Sequence, residues 1–226
     1  MTISEPLFPD AILWDMDGTL IDTERYWVTA EHALVAEYGG TWTSEQAHAV
    51  VGKDLRDTAR YLQMHGDVTL PTDEIVGRLM DGVIAGLREE APFMPGAIAL
   101  LDALHRVGVP CALVTMSWRR LTDEVVRLMP EGTFAATIVG DEVSVGKPDP
   151  APYLAAAAAL GDDPSRCVAI EDSPTGLRSA EAAGCRTLGV PNLLALPDAP
   201  GRTVATSLMG ITPEWLGELV RPSPSS

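Results

Sequence analysis

Four short segments of the chain carry side chains that could act together on one small ligand. Asp15 and Asp17 lie two residues apart in Asp-Met-Asp-Gly-Thr, so two carboxylates flank a turn at which Gly18 gives the backbone freedom. The later segments supply a hydroxyl, a lysine and an acidic pair, namely Thr115, Lys147 and Glu171 with Asp172. Carboxylate oxygens suit a hard cation such as Mg²⁺, while the lysine and the hydroxyl remain to hold an anion. This combination indicates phosphoryl transfer.

Each of these residues alone has an ordinary explanation. An aspartate such as Asp172 after a strand is often a turn former or a helix cap, and Lys147 alone reads as a solvated loop lysine. Asp-x-Asp-Gly-Thr is more informative, because average composition produces it in roughly one chain in a few hundred of this length. All four segments occur, each directly after a predicted strand, and this order favours the functional interpretation.

Short apolar runs predict the strands that position these segments. Five runs have the length and continuity of buried strands, at 11–14, 109–114, 136–139, 167–170 and 187–190. Helical patterns between them end at glycine, at 96–107, 150–160 and 174–183. The alternation predicts a Rossmann-like α/β core with a doubly wound parallel sheet, which binds ligands beyond the carboxyl ends of its strands.

One long stretch after the first strand has no strand pattern. Helical patterns cover 24–38, 44–51, 55–66 and 72–90, with Ser44, and Thr72 with Asp73, as candidate N-caps. We therefore expect an inserted α-helical cap over 22–91 and a catalytic core over 1–21 and 92–226. The Pro/Ser-rich tail at 221–226 and the residues before Pro9 are expected to be loose.

Charge and cysteine content restrict the partners. The 226 residues include 32 Asp+Glu against 16 Lys+Arg, a formal net charge of −16, which disfavours nucleic acid. No apolar run approaches the roughly 20 residues needed to span a bilayer, and the first residues do not resemble a secretory signal. Cys111, Cys167 and Cys185 form no CxxC pair, which predicts buried thiols and a cytoplasmic protein. Without an exposed apolar heptad, we expect a monomer.

The four segments together resemble the haloacid dehalogenase superfamily of phosphohydrolases, in the branch with a helical cap after the first strand. They read DMDGTLIDTE, LVTMS, GKPDP and IEDSPTG, at 15–24, 113–117, 146–150 and 170–176. The resemblance extends from about 11 to 219 and is strongest to the β-phosphoglucomutase-like phosphatases. It implies a phosphatase that acts on a small phosphorylated metabolite, such as a sugar phosphate.

The resemblance also implies a role for each residue of the reaction. Asp15 would attack phosphorus and form an aspartyl-phosphate, which divides the transfer into two easier steps. Asp17 would protonate the leaving oxygen and then take a proton from the attacking water. Thr115, with the backbone N–H of Met116, would hold the phosphoryl oxygens. Lys147 would offset the negative charge of the nucleophile and the phosphate.

The same resemblance implies a Mg²⁺ site. The cation would lie on the carboxylates of Asp15 and Asp172 and on the backbone carbonyl of Asp17. Glu171 would either bind the cation directly or contact the residues that bind it. Cap residues would choose the substrate, and Lys53 and Arg56 are the candidates, in the loop after the second cap helix.

Two other functions fit parts of this pattern. A sugar-phosphate mutase of the β-phosphoglucomutase type keeps all four segments, but such mutases usually place a histidine early in the first cap helix, where this chain has Trp27. A response-regulator receiver uses similar residues in another order and has no helical insert.

Dehalogenases of the same superfamily typically lack a carboxylate at the position of Asp17, because they protonate no alcohol oxygen. Phosphate-ester hydrolysis is therefore the leading hypothesis.

Overall fold

A computed structural model describes residues 8–221 of the chain, and a parallel sheet of six strands forms their centre. The strand order is β3-β2-β1-β4-β5-β6. The strands are β1 (Ala11–Trp14), β2 (Cys111–Val114), β3 (Ala136–Ile138), β4 (Cys167–Glu171), β5 (Arg186–Gly189) and β6 (Arg202–Val204). This arrangement confirms the predicted Rossmann-like α/β class.

Helices cover the sheet and form a long insert after β1. They are α1 (Glu24–Glu37), α2 (Ser44–Val50), α3 (Leu55–His65), α4 (Thr72–Glu89), α5 (Ala97–Arg106), α6 (Arg119–Val126), α7 (Ala151–Leu160), α8 (Pro174–Ala182) and α9 (Pro213–Leu219). We call α1–α4 the helical insert; within it, α4 packs against α1 and α3. The division into a core and a cap domain at 22 and 91 stays a prediction. No helix of the described residues is long and apolar enough to cross a membrane.

The central strand shows why the apolar runs are continuous. All four residues of β1 are fully buried, and successive side chains point to opposite faces of the sheet. Ile12 and Trp14 belong to the apolar cluster that also holds the buried residues of the insert, whereas Leu13 packs with Tyr153 of α7. Because helices cover both faces, neither face of β1 needs polar residues.

The chain enters and leaves the helical insert at adjacent positions. The N–H of Asp22 donates to the carbonyl of Pro92 at 2.9 Å, and the N–H of Met94 donates to the carbonyl of Leu20 at 2.9 Å. An antiparallel bridge joins Ile21 to Phe93 between these bonds. The two connecting segments are therefore tied to each other next to the end of β1.

Several local predictions were wrong or incomplete. Thr43, not Ser44, is the N-cap of α2. The Thr43 hydroxyl accepts from the N–H of Gln46 (3.2 Å), and the Gln46 side chain accepts from the N–H of Thr43 (2.8 Å). Helix α4 begins after Pro71 and has no side-chain cap. The sequence patterns did not indicate β6, α6 or α9, which are short elements. Residues 1–7 and 222–226, where loose segments were predicted, lie outside the described residues.

The cysteines are buried and free, as predicted. Burial raises the pKa of each of the three thiols to about 12. The thiolate forms, which are needed for disulfide exchange or soft-metal binding, are therefore disfavoured at neutral pH.

We expect Leu13→Ala to lower the free energy of unfolding by about 2–5 kcal/mol, because it leaves a cavity in a fully buried layer under the site. Leu154→Ala is the matched control, since Leu154 is 43% exposed on α7, and its effect should stay within about 0.5 kcal/mol. Urea unfolding followed by circular dichroism measures both. Equal effects of the two substitutions would contradict this description of the core.

Candidate active site

The predicted residues converge because their strands are neighbours in the sheet. Asp15 follows β1, Thr115 follows β2 and Glu171 ends β4, while the sheet order places β1 between β2 and β4. The carboxyl ends of these parallel strands meet at one edge, as the doubly wound fold requires. Carboxylate oxygens of Asp15, Glu171 and Asp172 lie within 4.8 Å of one another.

Lys147 lies at the centre of this acidic cluster. Its ammonium donates to Oδ1 of Asp15 (2.7 Å), to Oε1 of Glu171 (2.6 Å) and to the carbonyl of Val114 (2.8 Å). The side chain is only 5% exposed. Burial acts to lower the pKa of Lys147, but the charges of Asp15 and Glu171 outweigh it and raise that pKa above its ordinary value. The lysine therefore stays a cation with all three of its protons bonded.

Hydrogen bonds to both carboxylate oxygens fix Glu171 in position. Besides the lysine bond, its Oε1 accepts from the hydroxyl of Tyr153 at 2.7 Å, and its Oε2 accepts from the Oγ of Ser173 at 3.0 Å. A side chain at Gly176 would place its Cβ 1.8 Å from Oε1, so this position has room only for glycine. Both oxygens of this fully buried carboxylate are thus already hydrogen-bonded.

Asp17 receives three hydroxyl donors. Its Oδ1 accepts from Thr23 at 2.5 Å, and its Oδ2 accepts from Ser117 at 2.8 Å and from Thr115 at 3.1 Å. The next residue, Gly18, has a φ of +84°, and a Cβ there would lie 2.3 Å from an Asp172 oxygen. The turn after β1 therefore requires glycine for its backbone conformation and for the approach of the second acidic segment.

The acidic cluster fits a hard divalent cation. Oδ2 of Asp15 is buried and accepts no hydrogen bond from the described residues. Burial, reinforced by neighbouring carboxylates, raises the pKa of Asp15 to about 7 and that of Asp172 to about 9. A cation bound between these oxygens would satisfy the unbonded atom and relieve the repulsion, and oxygen donors of this kind suit Mg²⁺.

A cavity of about 110 Å³ separates this cluster from the helical insert. Its floor is made of six predicted site residues, namely Asp15, Asp17, Thr115, Met116, Lys147 and Asp172. The insert supplies the opposite wall, on which the polar side chains include Glu24, Glu31, Lys53 and Thr58. Glu171 lies behind the floor rather than on its surface.

The two predicted cap residues have different positions. Lys53 lines the cavity, is exposed, and holds its ammonium 4.9 Å from the ring centre of Tyr61. Arg56 is not on the cavity wall. Its Nε donates to Asp73 at 3.2 Å, and its guanidinium lies 4.7 Å from the ring centre of Trp118. Arg56 is therefore engaged away from the site.

Sequence reasoning missed the buried acid Glu31 on α1. Its Oε2 accepts from Nε1 of Trp42 at 3.0 Å, and the residue is only 4% exposed. A signal was present, because Glu31 falls on the apolar stripe of α1, which consists of Trp27, Ala30, Leu34 and Val35. A charged residue on the buried face of an amphipathic helix is costly unless a polar partner or a ligand bonds to it. Tyr153, Thr23 and Ser117 were also missed as side chains that hold the acidic residues.

The chain is similar in sequence to a family of hydrolases and to named phosphatases. A family model described as haloacid dehalogenase-like hydrolase matches residues 9–184. A probable pseudouridine-5'-phosphatase of Drosophila melanogaster is 32% identical over 214 residues, which is 91% of this chain and 92% of that protein. Hexitol phosphatase A of Escherichia coli K12 is 32% identical over 193 residues, covering 79% of this chain and 81% of the relative.

Solved structures share the fold as well. The structure of CbbY from Rhodobacter sphaeroides in complex with phosphate superimposes with a TM-score of 0.81 at 27% identity. The match covers 89% of this chain and 96% of that one. A β-phosphoglucomutase from Clostridium difficile has a TM-score of 0.79 at 20% identity, covering 94% and 97% of the two chains, and shows the fold alone.

Tyr153→Phe tests the support of Glu171. We expect the free energy of unfolding to fall by about 1.5–3 kcal/mol, because the substitution removes a hydrogen bond to a buried carboxylate. Tyr38→Phe at a half-buried position is the matched control and should change stability by less than about 0.5 kcal/mol. Urea denaturation at pH 7 compares them, and equal stabilities would show that the Tyr153 hydroxyl does not support the carboxylate.

Glu31→Gln tests the cost of the buried acid. Burial raises the pKa of Glu31 from 4.5 to about 7, so between these values the folded state binds more protons than the unfolded state. Stability contributed by the protonated acid is full below pH 4.5 and is lost as the pH rises toward 7. The glutamine variant does not titrate, and its stability relative to the natural chain should therefore rise by roughly 2–3 kcal/mol between pH 5 and pH 8.

Urea unfolding in EDTA at both pH values gives this difference. Glu45→Gln is the control, because Glu45 is exposed on α2 and its substitution should produce no comparable pH dependence. A pH-independent difference for Glu31→Gln would mean that Glu31 titrates normally in the folded protein.

Proposed function

The chain belongs to the haloacid dehalogenase-like hydrolases, and we propose that it hydrolyses small phosphorylated metabolites such as sugar phosphates, with Mg²⁺, through an aspartyl-phosphate. It is a phosphoric monoester hydrolase, like its named phosphatase relatives. The observation that carries the proposal is the state of Asp15, which lines the cavity with one oxygen held by Lys147 and the other accepting no hydrogen bond from a described residue.

Asp15 is the nucleophile in this reaction. The lysine bond to Oδ1 fixes the carboxylate and favours its ionised form against the effect of burial. Attack on phosphorus forms the aspartyl-phosphate and breaks the bond between phosphorus and the alcohol oxygen. Asp17 gives its proton to that oxygen and then takes a proton from the incoming water. The resulting hydroxide attacks phosphorus, which breaks the bond between phosphorus and the Asp15 oxygen and releases inorganic phosphate. The three hydroxyls around Asp17 hold its carboxyl group in place for both transfers.

The floor of the cavity supplies the phosphate contacts. We assign Thr115, the backbone N–H of Met116 and Lys147 to the phosphate site, since all three residues line the cavity beside Asp15. Lys147 acts there through its charge, because its three protons are already bonded, and the Thr115 hydroxyl would turn from Asp17 to a phosphoryl oxygen. A lysine that is permanently charged and buried acts strongly on a phosphate, because little water screens it there.

The cation site would be formed by Asp15, Asp172 and the backbone carbonyl of Asp17. When bound, Mg²⁺ would offset the negative charge of the nucleophile and the phosphoryl oxygens. Glu171 has a different role in this proposal. Both of its oxygens are hydrogen-bonded, so it holds Lys147 in position rather than serving as a direct ligand.

Two side chains favour the phosphatase over the mutase alternative. Trp27 stands where related mutases usually have histidine, lines the cavity, and offers an apolar ring to the substrate. Arg56, one of the two predicted substrate-choosing residues, is engaged with Asp73 and Trp118. We further propose that the enzyme is a cytoplasmic monomer that binds no nucleic acid, in keeping with its charge of −16 and its buried thiols.

Phosphate release tests the proposed function directly. The substrates are p-nitrophenyl phosphate and a panel of sugar and nucleotide monophosphates, each with Mg²⁺ and with EDTA. We expect metal-dependent release that falls at least ~1,000-fold in Asp15→Asn, because the nucleophile is lost.

Asp102→Asn is the matched control on the exposed face of α5 and should retain full activity. Absence of release from every ester by a folded protein would refute the phosphatase. Isomerisation of a sugar phosphate that depends on a bisphosphate activator, without net release, would support the mutase instead.

A further inference from the structure

The wall of the cavity opposite the phosphate site is acidic. The insert contributes three charged residues to the lining, namely the acids Glu24 and Glu31 and the cation Lys53. Glu24 and Glu31 both belong to α1 and lie on the side that a leaving alcohol must occupy. Trp27 lies between them in sequence and on the same wall.

Glu31 has the geometry of a fixed acceptor. One oxygen is anchored by the indole N–H of Trp42, whose ring in turn packs edge-on against Tyr61 at 5.9 Å between ring centres. The other oxygen accepts no hydrogen bond from a described residue, although Glu31 is only 4% exposed. Thr58, which is 3% exposed, lines the same cavity. Glu31 and Thr58 thus bring a carboxylate and a hydroxyl to the lining of one cavity.

Neither cation of the lining supplies a buried counter-ion at this wall. Lys147 is bonded to Asp15, Glu171 and the carbonyl of Val114. Lys53 is exposed and lies over the ring of Tyr61. A carboxylate or a second phosphate beside Glu31 would therefore face like charge without a buried counter-ion.

We propose that Glu31 is a specificity-determining residue that accepts hydrogen bonds from hydroxyls of the leaving alcohol. The preferred substrates are then phosphomonoesters of uncharged polyhydroxy alcohols, and esters with a carboxylate or a second phosphate are disfavoured. This inference rests on the proposed phosphatase function and specifies the substrate class for the same cavity.

This discrimination depends on pH, because protonation of either acid removes its charge and weakens the repulsion. Burial, with like charges nearby for Glu24, raises the pKa of both Glu24 and Glu31 to about 7. An anionic leaving group must either remain close to these charges or force further proton uptake. A neutral alcohol with several hydroxyls satisfies the open oxygen without either penalty.

The natural enzyme gives the first test. The values of kcat/KM are compared for sorbitol 6-phosphate, phosphoglycolate, fructose 1,6-bisphosphate and p-nitrophenyl phosphate at pH 7.5 with saturating Mg²⁺. We expect sorbitol 6-phosphate to exceed phosphoglycolate and the bisphosphate by at least ~10-fold, the discrimination expected of a site that hydrogen-bonds a substrate hydroxyl. Preference for either anionic ester would overturn the proposal.

The Glu31→Gln variant gives the second test. Glutamine keeps an acceptor for Trp42 but turns an amide NH₂ toward the cavity and removes the charge. We expect the ratio of kcat/KM for sorbitol 6-phosphate to that for phosphoglycolate to fall at least ~10-fold. In Glu45→Gln, at an exposed position on α2 outside the cavity lining, the ratio should stay within about twofold of the natural value, because separate sites without shared partners act independently.

The outcomes separate this inference from the function on which it rests. No phosphate release from any ester by the natural enzyme defeats the phosphatase itself. Release with an unchanged ratio in folded Glu31→Gln defeats only the role of Glu31. Circular dichroism and thermal unfolding establish that the variant is folded, and the substrate preference of the natural enzyme decides the proposal if it is not.

Discussion

A buried ammonium shared by two carboxylates is the interaction on which the rest of the site depends. Lys147 joins Asp15 to Glu171, and both acids are almost fully removed from water. Such a cluster is stable only when every charge and polar atom is bonded, because desolvation otherwise exceeds the attraction between the ions. The chain meets this condition with Tyr153 and Ser173 on Glu171, and with a strand carbonyl on the ammonium. The exception among these three residues is Oδ2 of Asp15, which accepts no hydrogen bond from a described residue.

The sheet explains how residues so far apart in the chain form this cluster. Strand β1 lies between β2 and β4, where the sheet order changes direction, and the loops after these strands diverge there to leave a crevice. Glycine at 18 then allows the two acidic segments to approach each other, and glycine at 176 leaves room for the Glu171 carboxylate. The fold thus supplies the position of the site, and the loops after the strands supply its chemistry.

The sequence was informative where chemistry and chain position coincide. Asp15, Thr115 and Glu171 follow apolar runs, so their meeting at one sheet edge could be predicted without coordinates. Tyr153 and Glu31 could not be placed in this way, because each reaches its partner from a helix face whose orientation depends on tertiary packing. The role of Arg56 stays a prediction, and its position in the first turn of α3 did not indicate that its guanidinium contacts Asp73 and Trp118. Short edge elements such as β6 lack a pattern strong enough to predict.

The paired strands of chain that connect the helical insert to the sheet have an evolutionary consequence. Since Asp22 and Pro92, and Leu20 and Met94, are hydrogen-bonded neighbours, the insert begins and ends at nearly one point. A segment with adjacent ends can be lengthened, rebuilt or exchanged without displacing the strands on either side. The wall that the insert gives to the cavity and the floor that follows the strands therefore lie on parts of the chain that can diverge at different rates. Descendants can change the wall while the residues of the floor stay unchanged.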